Sequence, residues 1–404
     1  MLLAGFALVS CMKPFWGRSG EDPGTFPVPC DFTFRMNEIQ CLRKGVDPFD
    51  VWHADVKMPP YYPNNRPDLR DEECTEPINA YAPWEYTLMM PLSFLPLKTA
   101  WVAYLAFMFA CLGAIAAAGY RMGKEIRGNV WEGVFAAAIP VVLSFYPVWS
   151  NFCIGNLMVP VIAALAAMVW CLDRGHDISA GVCWAIAMVK PQAAILFAVP
   201  LLWRRKFLTC AVAAGLCILL SVPPALLCKA SVVKLIMETP AANTFAFNGC
   251  GTFPYCFCSG AGDVLGINIG LAVGLLACLA MTWMIRKKKD WLVFAMPAFV
   301  CSMCWSYVQV YSYAAGWAFF LTLAIAFLRG VRSRFFWIAA AISTPFFMRL
   351  YLMAYKIATV SGFCEPDSCY AACIHPTLDN FCSTLCLLTA MPICHILGKS
   401  SEWR

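Results

Sequence analysis

Charge is scarce in this sequence. Only 13% of its 404 residues are Asp, Glu, Lys or Arg, while 61% are hydrophobic. A soluble domain carries about 25% charge, so the composition excludes one and indicates a polytopic membrane protein. Histidine is scarcer still, with four in the whole chain. A zinc site needs converging imidazoles or thiolates, and the 23 cysteines follow no ligand spacing. Cys111, Cys171, Cys183, Cys210, Cys217 and Cys278 sit inside apolar runs, where cysteine acts as a small hydrophobe. No metal and no cofactor is expected. Cys256, Cys258, Cys364, Cys369 and Cys373 fall in outer loops, where an oxidising compartment would permit disulfides. No segment of 20–50 residues recurs and no inverted repeat stands out, which excludes a solenoid. The net charge of +6 is not a nucleic-acid signal. Its positive members stand in short clusters between apolar runs, the pattern of inner-face loops.

Read with that rule, the chain is an all-α polytopic membrane protein of about 12 transmembrane passes. It forms one domain over residues 1–404, with both termini inside. Met1–Met12 is apolar but short for a span; lacking the basic start and cleavage site of a signal peptide, it reads as a first membrane helix. Residues 13–86 form a long polar outer loop, with thirteen acids against eight bases. Spans follow at Thr99–Tyr120, Val130–Trp149 and Asn156–Leu172, and later at Leu208–Leu227, Asp263–Ile285, Trp291–Tyr307, Tyr313–Leu328, Phe335–Tyr351 and Phe381–Leu397. Ser179–Trp203 is the exception. As one helix it would put Arg204, Arg205 and Lys206 on the outer side. Two half-helices meeting at Lys190-Pro191 restore the rule, and broken helices at membrane depth are tolerated where they line a cavity. The alternative is one Pro-kinked helix with a snorkelling lysine.

The stretch CDFTFRMNEIQCLRKGVDPF, Cys30 to Phe49, organises the outer loop. Phe32, Met36, Ile39, Leu42 and Val46 lie at helical spacing, and Gly45 and Pro48 stop the helix. Asp31, Arg35 and Glu38 fall on another face, so the segment reads as a helix lying at the membrane surface. Asp31 is either a working carboxylate or only the helix cap.

Ionisable groups at membrane depth are functional candidates, and several gather on the outer face. They are Asp31 with Arg35 and Glu38, the segment Tyr81 to Tyr86 containing Trp84 and Glu85, Asn151 with Gly155-Asn156, and Lys190-Pro191-Gln192. Trp305, Tyr307 and Gln309 line a later outer turn. Tyr and Trp at this depth also form plain interfacial belts. A carboxylate suits removal of a hydroxyl proton, and a lysine suits pairing with a lipid-linked phosphate.

The order of these pieces resembles the integral-membrane glycosyltransferases of the GT-C fold, most closely glycosyltransferase family 87. The blocks that carry the resemblance are CDFTFRMNEIQCLRKGVDPF, YAPWEYTLMMPLSFLPL, SNFCIGNLMVP and LDRGHDISAGVCWAIAMVKPQAAILFAVPLLWRRKF. They run from Cys30 to Phe207; beyond that the likeness is mainly in span spacing. The resemblance implies an inverting, metal-independent transfer of a hexose, mannose being the usual one, from a polyprenyl-phosphate donor to a glycolipid or glycan acceptor. It makes Asp31 the catalytic carboxylate. It puts Lys190 at the donor phosphate. The gathering of polar and aromatic groups on the outer face adds Arg35 beside that phosphate, and Glu38, Tyr81, Trp84, Glu85, Asn151, Asn156, Gln192, Trp305, Tyr307 and Gln309 along the substrates. The expected setting is a bacterial plasma membrane, and the charge rule puts the active site on the periplasmic or extracellular side. Gly155-Asn156 stands where the family usually has Gly-Gln. Trp305-Ser306-Tyr307-Val308-Gln309 lacks the histidine many relatives carry near that tryptophan, so a histidine-assisted step is not implied here.

Two rivals belong to other classes. A transporter or flippase for a lipid-linked or small polar solute would also use broken helices, but calls for gating polar groups at both ends. A non-catalytic scaffold leaves the long polar loop without a purpose.

Overall fold

The computed structural model describes residues 28–48, 82–238, 263–302, 314–348 and 375–399. All regular structure among them is helical. The helices are α1 (Cys30–Arg43), α2 (Pro83–Met89), α3 (Leu97–Arg127), α4 (Val130–Leu143), α5 (Phe145–Ile154), α6 (Met158–Asp173), α7 (Asp177–Ala187), α8 (Pro191–Ala194), α9 (Ala198–Trp203), α10 (Phe207–Leu227), α11 (Asp263–Met284), α12 (Trp291–Ser302), α13 (Gly316–Leu328), α14 (Arg334–Phe347) and α15 (His375–Lys399). A short helical stretch also covers 232–238. The chain divides into two compact units. The first comprises residues 1–109, 151–157 and 215–248, and the second 110–150, 158–214 and 249–404.

Leu97–Ile126 and Phe207–Leu227 are long and apolar enough to cross a membrane. Val130–Leu143 and Pro147–Ile154 make a third span if the bent pair counts as one. The sequence suggested an unbroken pass over Val130–Trp149. The helix stops at Ser144 instead, because Pro147 has no N–H to return to the Leu143 carbonyl. Among the described residues, shorter apolar helices accompany these spans, including α6, α7, α12 and α13. Large apolar side chains point outward on two helices: Ile218, Leu219 and Leu226 on the span α10, and Phe335, Ile338 and Ile342 on α14, are all at least half exposed. Such stripes are expected where lipid, not water, is the neighbour.

In the first unit, α1 extends as its spacing predicts, and Phe32, Met36, Ile39 and Leu42 are buried. Its end is a Schellman turn: Val46 N–H donates to the Cys41 carbonyl at 3.0 Å and Gly45 N–H to that of Leu42 at 2.9 Å. Gly45 adopts φ +78°, the left-handed backbone this motif requires. The helix does not lie on a surface, however. Arg35 and Glu38, expected on a polar face, are each 1% exposed. Gln40 Nε2 and Arg43 Nη1 both donate to the Ser93 carbonyl, at 2.8 and 2.7 Å, tying α1 to the 3-10 turn Met90–Phe94 that follows α2. Asp47 pairs with Lys234 at 3.1 Å.

In the second unit, α12 is buried along its whole length, and α6 and α13 nearly so. Helix α13 also packs on α4, and α14 on α15. The charged connections meet at one end. Asp173 accepts from Trp291 N–H at 3.0 Å, Asp290 pairs with Arg329 at 3.1 Å, and Arg174 with Glu125 at 3.2 Å. Arg204 donates to the carbonyls of Lys288 and Lys289 and lies over the Phe294 ring, 3.8 Å from its centre. Lys206 pairs with Asp177 at 2.7 Å. These are the connections expected on the inner side.

Candidate active site

Asp31 sits in the first turn of α1, as its second residue. The cap position belongs to Pro29, so Asp31 is not the helix cap that one reading of the sequence allowed. Its Oδ2 accepts a hydrogen bond from Asn156 Nδ2 at 3.2 Å. The carboxylate is partly exposed, whereas Asn156 is fully buried.

This contact depends on a tight approach of two segments 125 residues apart. Helix α5 ends at Ile154, and Gly155 follows with φ +74°. A Cβ at residue 155 would stand 2.8 Å from Phe32 Cβ. Only glycine fits both the backbone and the space. The Asn151 carbonyl closes the turn by accepting from the N–H groups of Gly155 and Asn156, at 2.9 and 3.0 Å. On the other side, the Tyr104 hydroxyl donates to the Asn156 carbonyl at 3.1 Å. The Tyr104 and Phe32 rings stack at 5.2 Å, with Trp101 5.3 Å from Phe32.

Behind Asp31 lies a buried charged cluster. Arg35 pairs with Glu85 of α2, and its Nη1 donates to the Gly155 carbonyl at 3.3 Å. Glu38, one turn further along α1, is beside the Tyr86 hydroxyl. Burial, with the charge of Glu85 nearby, pushes the Glu38 carboxyl up to about 8, against the opposing pull of Arg35. With Glu38 protonated, Arg35 and Glu85 balance one another, which is the cheapest charge state for groups removed from water.

The first unit therefore brings together Asp31, Arg35, Glu38, Glu85, Asn151 and Asn156. Trp84 is buried within α2. Lys190 and Gln192 belong to the second unit. There α7 ends at Ala187, and Lys190, 1% exposed, precedes Pro191 at the start of α8. Trp184 Nε1 donates to the Ala194 carbonyl at 2.9 Å, bracing the two limbs around Lys190. Tyr81, Trp305, Tyr307 and Gln309 lie outside the described residues, as do Cys256, Cys258, Cys364, Cys369 and Cys373. Among the described residues, no group of three or more His, Cys, Asp or Glu could hold a metal ion.

Sequence reasoning missed one member: Tyr104 reads as one more apolar residue of a span. Tyr86 lies in the candidate segment Tyr81 to Tyr86, but the sequence does not foretell its place beside Glu38. The one signal for Tyr104 is its hydroxyl, a polar group three residues after Trp101 on the same helical face of an apolar span.

The family model for glycosyltransferase family 87 matches residues 79–304. The chain belongs to glycosyltransferase family 87. It is thus a membrane glycosyltransferase, and binds a sugar donor and an acceptor. No curated protein and no solved structure matches it. The match contains Glu85, Asn151, Gly155, Asn156 and Lys190 but begins after α1, so Asp31 lies outside it. Asp31 is joined to the matched residues by its contact with Asn156.

Proposed function

We propose that this family 87 enzyme transfers a hexose, mannose by family likeness, from a polyprenyl monophosphate to a glycolipid or glycan acceptor. The transfer inverts the anomeric centre and needs no metal. Asp31 takes the proton of the acceptor hydroxyl as that oxygen attacks the anomeric carbon. The bond from that carbon to the phosphate oxygen breaks, and the polyprenyl phosphate leaves. Lys190 balances the charge that grows on the leaving phosphate. The short apolar helices complete a membrane domain of about twelve passes in a bacterial plasma membrane, with the reaction on its outer face. The donor enters from lipid and the acceptor from water, where the long outer loop 50–80 helps to bind it; Gln192, Trp305, Tyr307 and Gln309 are further substrate contacts.

The observation that carries this reading is the Asp31–Asn156 hydrogen bond. It holds a partly exposed carboxylate in one orientation at the edge of a buried polar cluster. A general base requires that constraint, and a surface acid does not. The test is sugar transfer from radiolabelled polyprenyl-phosphate-mannose by membranes carrying wild type or Asp31→Asn, with host glycolipids as acceptor. Transfer by wild type alone supports the reading. Transfer by Asp31→Asn refutes the base. If wild type is silent, polyprenyl-phosphate-glucose and -arabinose replace the donor, and silence with all three counts against the reaction.

A further inference from the structure

Arg35 stands between two blocks of sequence that are far apart in the chain. Its guanidinium pairs with Glu85 and also donates to the Gly155 carbonyl at 3.3 Å. Arg35 is 1% exposed and Glu85 is fully buried. A lysine would offer a single point charge to both partners, whereas the planar fork of arginine serves a carboxylate and a carbonyl at fixed angles.

The Gly155 carbonyl and the Asn156 nitrogen belong to one rigid peptide plane. Arg35 grips that plane at its oxygen. The Asn151 carbonyl grips it at the nitrogen, at 3.0 Å. The Tyr104 hydroxyl holds the next carbonyl, that of Asn156, at 3.1 Å. Residue 156 is thus fixed at three backbone points, and its side chain delivers the hydrogen bond to Asp31 Oδ2. Asp31 and Arg35 are successive turns of one helix, so the path closes on itself.

We infer that Arg35 and Glu85 are positioning residues for the base: through Gly155 and Asn156 they set the orientation of the Asp31 carboxylate, and neither binds the donor phosphate. With one carboxylate oxygen held by the amide, the direction of the other is set as well. Glu85 keeps the guanidinium from turning toward another anion. This inference rests on the proposed role of Asp31.

The test uses the full chain in detergent, with Arg35→Lys, Glu85→Gln, Asn156→Ala, Asn156→Gln and Asp31→Asn, and the donor that wild type turns over. Kinetics are scaled to folded protein by thermal melting. Arg35→Lys and Asn156→Ala should lower kcat by about 10–100-fold while donor KM stays within about twofold, since a misplaced reacting group costs that much. Asn156→Gln, which keeps the amide donor, should recover much of the loss. Glu85→Gln should fall between. A raised donor KM with intact kcat in Arg35→Lys would make Arg35 a phosphate ligand and overturn the inference. A fall in melting temperature with unchanged kcat per folded molecule would reduce the pair to structure and also overturn it. Asp31→Asn separates the two levels. If it stays active, the base assignment fails; if it is inactive while Arg35→Lys behaves in either overturning way, the positioning role alone fails.

Discussion

Lys206 and Asp177 stand 2.7 Å apart at the two ends of the segment α7–α9. A single continuous helix over those residues would separate its ends by about 40 Å, at 1.5 Å per residue. The chain instead runs in along α7, turns at Lys190 and returns along α8 and α9. The Trp184–Ala194 hydrogen bond cross-braces the two limbs. The half-helix pair expected from the charge rule is therefore present, and the single kinked helix is not.

The hairpin has a topological consequence. Protease sites inserted after Gly175 and after Arg205 should be cut from the same side of sealed vesicles. Both positions are turns with positive φ that can accept an insertion. Cleavage of the two sites in vesicles of opposite orientation would return the segment to a single crossing.

Replacing Gly155 by alanine should damage stability and activity together. The left-handed backbone costs an alanine about 1–2 kcal/mol, and crowding against Phe32 adds about 1–3 kcal/mol. Thermal melting in detergent should drop by several degrees. Turnover per folded molecule should also fall, because α1 must withdraw from Asn156. A melt equal to wild type would show that the turn has room to adjust.

Glu38 predicts a pH dependence with a definite sign. Its carboxyl is raised, so the folded chain holds that proton more tightly than the unfolded one. The resulting stability is complete below pH 4.5, declines as pH climbs from there, and is gone by about pH 8. Wild type should therefore melt lower at pH 8 than at pH 5.5. Glu38→Gln is neutral at every pH and should flatten that slope. Equal slopes in the two proteins would remove Glu38 as its cause.

Lys190→Ala should weaken donor binding more than acceptor binding. Losing a charged partner of a phosphate costs about 1.5–3 kcal/mol, which is roughly 10–100-fold in donor KM with acceptor KM little changed. Arginine at 190 should restore part of the loss. An equal rise in both KM values would mark Lys190 as a structural member of the hairpin.

The extent of α1 was legible because its apolar stripe and its stop residues are local signals. The setting of its polar face was not. Arg35 and Glu38 at helical spacing suggest a solvated face, and only Glu85, some fifty residues on, turns that face into a buried cluster. The hairpin was legible because Arg204–Lys206 broke a charge rule that the other connections obey. The break between α4 and α5 was harder to see, since Pro140 sits within α4 without ending it, whereas Pro147 ends the pairing. The partnership of Asp31 with Asn156 could not be read from spacing. It rests on one glycine whose missing Cβ lets two distant segments touch.

That glycine also bears on recombination between homologues. Residues 30–43, 83–89 and 151–156 interlock through side chains and main chain at once: Asp31 with Asn156, Arg35 with Glu85 and Gly155. Chimaeras that inherit the three stretches from one parent keep a matched set. Those that split them between parents combine a fork, a carboxylate and a turn selected against different counterparts. Crossovers are best placed outside the triplet, however similar the parents are elsewhere.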